Sequence, residues 1–293
     1  MRYSVLVWSL LLAACETVPG VPESLGTVEG SSADGASRAP LIHVLERFDS
    51  EGFRNRFLMH GRNEQISVTE SPHASRIGNI LRVEIPAGEH YGANFSWRFR
   101  DHPSGEPERL YSRYFIYLEP GWESGQGGKL PGPSGTYGRA GWGGRPSDGT
   151  NGWSARMGFR SGWRRDSTQL SYYAYDVNMR YRYGRNISWD RSSSLLALDS
   201  IGELDHGRWY CVESLIYLND PHRSNGRLIG WVDGKLATDT KGLRFRTTPD
   251  LRIEEYWFNV YYGSTGVPEK NLVVYFDDLL LADTRLGCSA TPE

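Results

Sequence analysis

Short segments that alternate apolar and polar residues, or are rich in β-branched and aromatic residues, recur along the chain from Leu41 onward. Gly, Pro, Asn and Asp separate them, and no segment carries an apolar stripe of three helical turns. This pattern predicts β-strands joined by turns. Among the predicted strands are residues 80–85, 111–118, 154–159, 170–177, 209–218, 228–232, 256–262 and 272–281. Since there is no internal repeat and no break in composition, we expect one all-β domain over residues 41–293, a β-sandwich of the jelly-roll kind.

Two of the predicted strands place polar residues together. Residues two apart on a strand share a face, so Ser154 and Arg156 share one, and Tyr173 and Tyr175 share another. The alternate positions are apolar, namely Trp153, Ala155 and Met157 in the first strand and Leu170, Tyr172 and Ala174 in the second. We expect the polar residues to line the concave, solvent-facing side of one sheet. Tyr172 replaces Tyr173 there only if the register is shifted by one residue.

The run Gly127-Gly128-Lys129-Leu130-Pro131-Gly132 precedes these two strands. Together with them, the run resembles family 14 of the polysaccharide lyases, the alginate and glucuronan lyases. The resemblance continues in residues 209–219, 231–234, 256–263 and 275–278, so it covers roughly residues 105–285. It implies a jelly roll with a substrate groove and an enzyme that cleaves an acidic polyuronate by β-elimination. The catalytic residues of the family match Lys129, Ser154, Arg156, Tyr173 and Tyr175.

Removal of the C5 proton of a uronate is the chemical problem that such a lyase solves. The enzyme neutralises the neighbouring carboxylate, supplies a base and protonates the leaving oxygen at C4. The fork of the Arg156 guanidinium suits a carboxylate, and Lys129 either shares this task or binds a neighbouring subsite. Tyr173 and Tyr175 are the candidate acid and base, with Tyr175 as the expected base. This requires that nearby cations lower one phenol pKa from its usual value of about 10.

Charge is distributed unevenly along the chain. The formal net charge is only −2, so we expect no nucleic-acid partner, yet residues 122–191 carry eleven Lys and Arg against five Asp and Glu. This basic segment predicts a groove for an acidic polysaccharide, and its aromatic residues either stack on sugar rings or pack. The Gly-rich stretch 132–152 is expected to be a long loop that acts as a lid or rim. The candidate substrate-binding residues are Arg139, Trp142, Arg160 and Tyr181.

The first 40 residues are typical of an export segment followed by a tether. Arg2 precedes an apolar stretch that is too short to span a bilayer, and residues 12–15, Leu-Ala-Ala-Cys, resemble a bacterial lipobox. We expect residues 1–14 to be a signal peptide, Cys15 to be lipidated and residues 15–40 to be a flexible tether. The protein is then an exported bacterial lipoprotein of the cell envelope, on the outer membrane in a Gram-negative cell. The alternative is an ordinary signal peptide.

Export implies an oxidising compartment, which bears on the remaining cysteines. Cys211 and Cys288 either form a disulfide or stay as two buried thiols. No cofactor is expected, because the seven His residues show no spacing typical of a zinc site. A structural calcium ion at Asp277 and Asp278 is the one metal alternative.

Two other functions compete with the lyase. A non-catalytic module that binds acidic polysaccharide at the cell surface needs the same basic groove, although it does not need two phenols. A neutral-glucan hydrolase needs paired carboxylates. Glu203 and Asp205 resemble the carboxylates of some jelly-roll β-glucanases, but the third acid of that pattern, expected at position 208, is replaced by Arg. If no Tyr moves the proton, the next candidates are His90, His206 and His222. We expect a monomer.

Overall fold

The segments predicted from alternation form strands in the computed structural model, which describes residues 39–289 except 62, 72, 74, 192–199 and 264. Each of the eight predicted segments overlaps a strand. The predicted signal peptide, Cys15 and the predicted tether up to residue 38 lie outside the described residues. Two 3₁₀ turns, Glu51–Asn55 and Phe99–Asp101, are the only helical elements in the described part of the chain. No helix among these residues is long and apolar enough to cross a membrane.

The strands are numbered along the chain: β1 (Ile42–Glu46), β2 (Leu58–Met59), β3 (Ile66–Glu70), β4 (Asn79–Ile85), β5 (Tyr91–Arg98), β6 (Arg109–Leu118), β7 (Gly128–Lys129), β8 (Gly132–Gly135), β9 (Trp153–Ser161), β10 (Ser167–Tyr175), β11 (Arg185–Ser188), β12 (Glu203–Asp205), β13 (Trp209–Tyr217), β14 (Gly226–Val232), β15 (Lys235–Leu243), β16 (Glu255–Tyr262) and β17 (Leu272–Ala282).

These strands form two sheets, and every pairing within them is antiparallel. The front sheet has the order β11-β10-β9-β7-β16-β5-β2, with β12 beside β10 and β8 between β16 and β9. The back sheet has the order β15-β14-β13-β6-β17-β4-β3, with β1 beside β17. This is the predicted β-sandwich of the jelly-roll kind.

Aromatic side chains join the inner faces of the two sheets. Phe258 of the front sheet stacks on its neighbour Phe95 with ring centroids 4.5 Å apart, and it meets Phe276 of the back sheet edge to face at 4.8 Å. Such pairs contribute about 0.5–1.5 kcal/mol each beyond the burial of their area. Because the core uses every second residue of these strands, the alternate residues of the front sheet are left for its outer face.

A disulfide ties the C-terminal segment to the back sheet. Cys211 on β13 is bonded to Cys288, and their Cα atoms are 5.9 Å apart. Of the two alternatives for these cysteines, the structure therefore contains the disulfide. Its loop is long, since the two residues are separated by 77 positions in sequence.

Candidate active site

The Gly-Gly-Lys-Leu-Pro-Gly run enters the front sheet as its central strands. β7 and β8 both lie between β9 and β16 and pair with each of them. Two glycines permit this close approach. A Cβ atom on Gly128 would lie 2.2 Å from the carbonyl oxygen of Tyr261, and one on Gly132 would lie 2.6 Å from Cα of Arg156. Lys129 consequently stands in the middle of the sheet.

β9 and β10 pair in the register that the alternation requires. Tyr173 lies opposite Arg156, and Tyr175 lies opposite Ser154. Tyr172 points into the core, where its hydroxyl donates a hydrogen bond to a backbone carbonyl of β14 at 2.7 Å. The predicted faces of both strands are therefore confirmed, and the one-residue shift that would bring Tyr172 to the outer face does not occur.

Arg156 is buried, so the expectation that it faces solvent is wrong. Its Nη1 donates a hydrogen bond to the Asn259 side-chain oxygen at 2.8 Å, and its guanidinium carbon lies 4.2 Å from the ring centroid of Trp257. Its Nε is buried without a hydrogen-bond partner. Burial lowers the pKa of Arg156 to about 10, which still leaves a cation at neutral pH.

Lys129 lies beside this guanidinium in an aromatic enclosure. Its Nζ is 4.4 Å from the ring centroid of Tyr261 and 4.7 Å from that of Tyr173. Burial, and then the charge of Arg156, lower the pKa of Lys129 from 10.5 to about 7. Within the described residues neither cation forms an ion pair, and Glu255 acts on Arg156 only at longer range. The buried Arg156 and the half-buried Lys129, with no carboxylate paired to either among the described residues, make this a site of positive potential.

The Gly-rich loop covers one end of the site. The predicted loop at 132–152 begins with β8, and its remaining part folds over β9 and β10. The Ser154 hydroxyl donates a hydrogen bond to the Gly141 carbonyl at 2.6 Å, and the Gly144 N–H donates to the Tyr175 hydroxyl at 3.2 Å. Ser154 is 0% exposed and Tyr175 is 1% exposed. Both were expected to face solvent and both are covered, because the loop packs on them.

Tyr173 is the one phenol of the predicted pair that is only half-buried. Burial, assisted by the neighbouring Tyr175, raises the pKa of Tyr173 above its ordinary value, although Arg156 acts in the opposite direction. The expected lowering of a phenol pKa by the nearby cations is therefore wrong for Tyr173. A phenol with a raised pKa keeps its proton and is suited to give it away.

The predicted substrate-binding residues lie at different places around this centre. Arg160 is exposed at the end of β9, on the same face as Arg156, and its guanidinium donates to Ser188 at 2.9 Å. Trp142 is half-buried in the Gly-rich loop, with the Arg145 guanidinium 4.5 Å from its ring centroid. Two further candidates, Arg139 and Tyr181, are exposed in loops, and Tyr181 is 80% exposed.

Three residues of β16 belong to the site but were not identified from the sequence. Trp257 and Asn259 contact Arg156, and Tyr261 contacts Lys129. All three lie on β16, which is separated from β9 by β7 and β8. The signal was present, because residues 256, 258, 260 and 262 fill the core and leave the odd-numbered positions on the outer face. Nothing in their spacing alone indicated which strand they would adjoin.

The histidine candidates differ in their distance from the site. The His90 ring stacks on Tyr261 with centroids 5.4 Å apart, and its Nδ1 is 2.9 Å from the Tyr262 carbonyl oxygen. His206 instead bonds the Thr168 hydroxyl at 2.9 Å. His222 is exposed in the turn after β13. Of these three histidines, only His90 adjoins the enclosure around Lys129, through its contact with the Tyr261 ring.

The paired carboxylates at Glu203 and Asp205 form a structural ion-pair network. Arg164 lies 3.4 Å from Glu203 and 2.7 Å from Asp205, and the Ser167 hydroxyl also donates to Glu203. Glu203 is buried, so the pair does not flank an open groove. This arrangement gives no support to a glycoside hydrolase.

The possible metal ligands also have partners of their own. Asp277 and Asp278 both bind the Arg76 guanidinium. Burial raises the pKa of Asp277 to about 6, which makes it a weaker ligand for calcium at mildly acidic pH. In the described part of the chain, one cluster of three potential metal ligands is found, Cys211, Glu213 and Cys288. Its two sulfur atoms are already bonded to each other in the disulfide.

Comparison with known proteins connects this geometry to a family. A family model described as polysaccharide lyase 14 matches residues 75–279, which is more than half of the chain. No curated protein matches the chain significantly.

Several solved structures share the fold. A mutant alginate lyase in complex with alginate tetrasaccharide is 20% identical, with a TM-score of 0.58 over 71% of this chain and 82% of that one. The alginate lyase from Aplysia kurodai is 18% identical, with a TM-score of 0.56 over 74% and 87% of the two chains. The endo-β-1,4-glucuronan lyase from Trichoderma reesei is 14% identical, with a TM-score of 0.55 over 83% and 96%. At these identities the likeness establishes the fold.

Proposed function

The chain belongs to the polysaccharide lyase 14 family, and from this we propose that it cleaves an acidic polyuronate, alginate or glucuronan, by β-elimination. The solved structures of the same fold include an alginate lyase that holds an alginate oligosaccharide and a glucuronan lyase. Both polymers consist of sugars with a carboxylate at C5. The proposed substrate class is therefore a chain of regularly spaced negative charges.

The adjacent cations on the outer face of the front sheet carry this proposal. Arg156 is buried and Lys129 is half-buried beside it, neither has a carboxylate partner among the described residues, and desolvation disfavours both charges. A carboxylate about 4 Å from one such cation gains on the order of 4 kcal/mol at an effective dielectric constant of 20. A uronate supplies the missing anion, and its binding offsets the cost of burying the guanidinium.

The same residues meet the chemical demands of elimination. Positive charge beside the substrate carboxylate makes the C5 proton more acidic. Arg156 can supply this charge over a wide pH range, because a pKa of about 10 keeps it protonated. Trp257 and Asn259 hold its guanidinium in place through stacking and a hydrogen bond. Tyr173 keeps its proton and is placed to donate it to the departing O4 oxygen.

The test is a panel of polyuronates: mannuronate-rich alginate, guluronate-rich alginate and glucuronan. Each is incubated with the purified protein while the ultraviolet absorbance of the C4=C5 double bond is followed. We expect a rising signal with at least one polymer. Arg156→Ala should abolish most of it, whereas Arg165→Ala, at an exposed position on the β9–β10 turn, should not. Binding of a polymer without an unsaturated product would favour the non-catalytic binding module.

We also propose that the protein is exported as a lipoprotein and anchored through Cys15. The lipobox-like sequence suggests this, and the Cys211–Cys288 disulfide is consistent with an oxidising compartment. Expression in a bacterium supplied with radioactive fatty acid should label the wild type but not Cys15→Ser. Equal labelling of both proteins would contradict the anchor.

A further inference from the structure

Two loop segments meet over the end of the site that Tyr175 occupies. One is segment 137–145 of the Gly-rich loop, and the other is segment 177–184, which joins β10 to β11. The Arg182 Nε donates a hydrogen bond to the Gly144 carbonyl at 3.3 Å, and the Gly144 N–H donates to the Tyr175 hydroxyl at 3.2 Å. Together the two segments form a rim at this end of the front sheet.

The rim adjoins the centre of the site. A Cβ atom on Gly184 would lie 2.8 Å from the Tyr175 ring and 2.9 Å from the Tyr173 ring, so the backbone of segment 177–184 packs against both tyrosines. Tyr173 in turn lies beside Lys129, whose Nζ is 4.7 Å from its ring centroid. A polymer that runs from Lys129 past Tyr173 therefore reaches the rim next.

The charge of the rim has one sign. Its two segments contain no Asp or Glu and four arginines, Arg139, Arg145, Arg180 and Arg182. All four are exposed, and none of them forms an ion pair with a carboxylate among the described residues. The next arginine, Arg185, differs because the buried Asp176 neutralises it. The rim consequently carries four positive charges without internal compensation.

Exposed arginines elsewhere in the described chain often lie beside a carboxylate. Arg165 is 3.6 Å from Asp166, and Arg223 is 3.5 Å from Asp220. A cluster of uncompensated like charges repels itself, and it attracts an anion from solution. The missing partners of the rim arginines therefore point to an anionic ligand.

Aromatic rings accompany these charges. Tyr181 is 80% exposed and Tyr183 is 59% exposed. In the other segment, the Arg145 guanidinium lies 4.5 Å from the ring centroid of Trp142. Guanidinium forks suit carboxylates, and an aromatic ring in water offers an apolar face to a sugar ring. The combination fits a carboxylated polysaccharide.

We propose that the rim is a second binding surface for the acidic polysaccharide, separate from the residues that act on the cleaved bond. This rests on the proposed polyuronate substrate. The rim holds the part of the polymer that extends beyond the reacting sugar, and it raises the affinity for long chains without changing the chemical step. Its exposed charges also attract a polyanion at long range, which speeds encounter.

The first experiment replaces one arginine in each segment, Arg139→Ala together with Arg180→Ala. Arg182 is kept, because it bonds the two segments to each other. An exposed ion pair changes affinity by up to about fivefold, so we expect KM for the polymer to rise about 5- to 25-fold while kcat stays within about twofold.

The matched control, Arg165→Ala together with Arg223→Ala, removes two exposed charges elsewhere and should leave both constants unchanged. Urea unfolding establishes that both double variants fold as the wild type does. An unchanged KM in the rim variant would overturn the proposal, and so would a loss of kcat at unchanged KM.

Chain length and salt sharpen this test. The rim variant should lose less affinity for the shortest oligosaccharide that is cleaved than for the polymer, because a short chain makes fewer contacts beyond Tyr173. Salt screens exposed charges, so the KM values of wild type and rim variant should converge at about 1 M NaCl. A defect that is equally large for the short chain, or that persists at high salt, would contradict a separate electrostatic surface.

The second experiment measures binding without turnover. Electrophoretic retardation is compared in gels that contain alginate, glucuronan or a neutral glucan, with every protein in a Tyr173→Phe background so that the polymer stays uncut. We expect an acidic polymer to retard the background protein and the control variant more strongly than the rim variant, and the neutral glucan to retard none of them. Equal retardation of the rim and control variants would overturn the rim while leaving the lyase intact. Retardation that depends on the rim, in a protein whose wild type cleaves no polyuronate, would instead overturn the proposed function and leave the rim.

Discussion

Loss of the Tyr173 hydroxyl should lower activity, whereas loss of the Tyr175 hydroxyl should mainly lower stability. The perturbations are Tyr173→Phe and Tyr175→Phe, each of which removes one hydroxyl and keeps the ring. The Tyr175 hydroxyl is buried and accepts a hydrogen bond from the buried Gly144 N–H. Tyr173 is half-buried and its pKa is raised by burial, so it holds its proton until O4 departs.

The expected magnitudes follow from these environments. Tyr175→Phe leaves a buried N–H without its partner, which costs about 1–3 kcal/mol. For a domain of this size each kcal/mol lowers Tm by about 2–4 °C. Its kcat should stay within about tenfold of the wild type. Tyr173→Phe removes the proposed acid and should lower kcat by about 10²-fold or more. Its stability should change by less than about 0.5 kcal/mol, because water can replace the hydrogen bonds of a half-buried hydroxyl.

Both variants are assayed by initial rates of ultraviolet absorbance on the preferred polyuronate and by urea unfolding. Substrate affinity is measured separately, so that a loss of kcat is not confused with weaker binding. The opposite result, a stable but inactive Tyr175→Phe and an active Tyr173→Phe, would refute the assignment of the acid from burial. Activity in both variants would mean that another group protonates O4.

Three further predictions address the site and the fold. Arg156→Lys should lower kcat by about 10²–10³-fold, because the bond to Asn259 and the stacking on Trp257 depend on the guanidinium; retention of activity under initial-rate assay would contradict this. Gly132→Ala should destabilise the protein by about 1–3 kcal/mol in urea, since its Cβ would lie 2.6 Å from backbone, whereas Gly266→Ala, with open space around it, should be nearly neutral. Reduction of the disulfide should lower the free energy of unfolding by about 2–4 kcal/mol, and an unchanged urea midpoint after treatment with dithiothreitol would count against a stabilising role.

Much of the fold follows from local pattern. Strands β9, β10, β13 and β16 carry alternation that is visible in the sequence, and the structure places their apolar positions in the core as that alternation requires. β7 and β8 are different. A run rich in Gly and Pro has little strand propensity, and it becomes a strand only because β9 and β16 hydrogen-bond it from both sides.

Five residues of the candidate site were predictable, but its β16 residues and the exposure of its side chains were not. Side-chain parity paired Ser154 with Arg156 and Tyr173 with Tyr175, and the family resemblance brought these two pairs together with Lys129. Whether that face is open depends on where the Gly-rich loop packs, and the loop carries no periodic signal. The structure shows that it covers Ser154 and Tyr175 and leaves Tyr173 partly open.

By itself, then, the sequence determined the strands with clear alternation, their inner and outer faces and the residue types available for chemistry, because a two-residue period is a local property of the chain. Only the tertiary structure decided which of those residues are covered and which cation can lose its proton. The pKa of Lys129 depends on burial and on Arg156, which lies on a neighbouring strand and is distant in sequence. Solvation and charge proximity are properties of the assembled sheet, and no local pattern of residues encodes them.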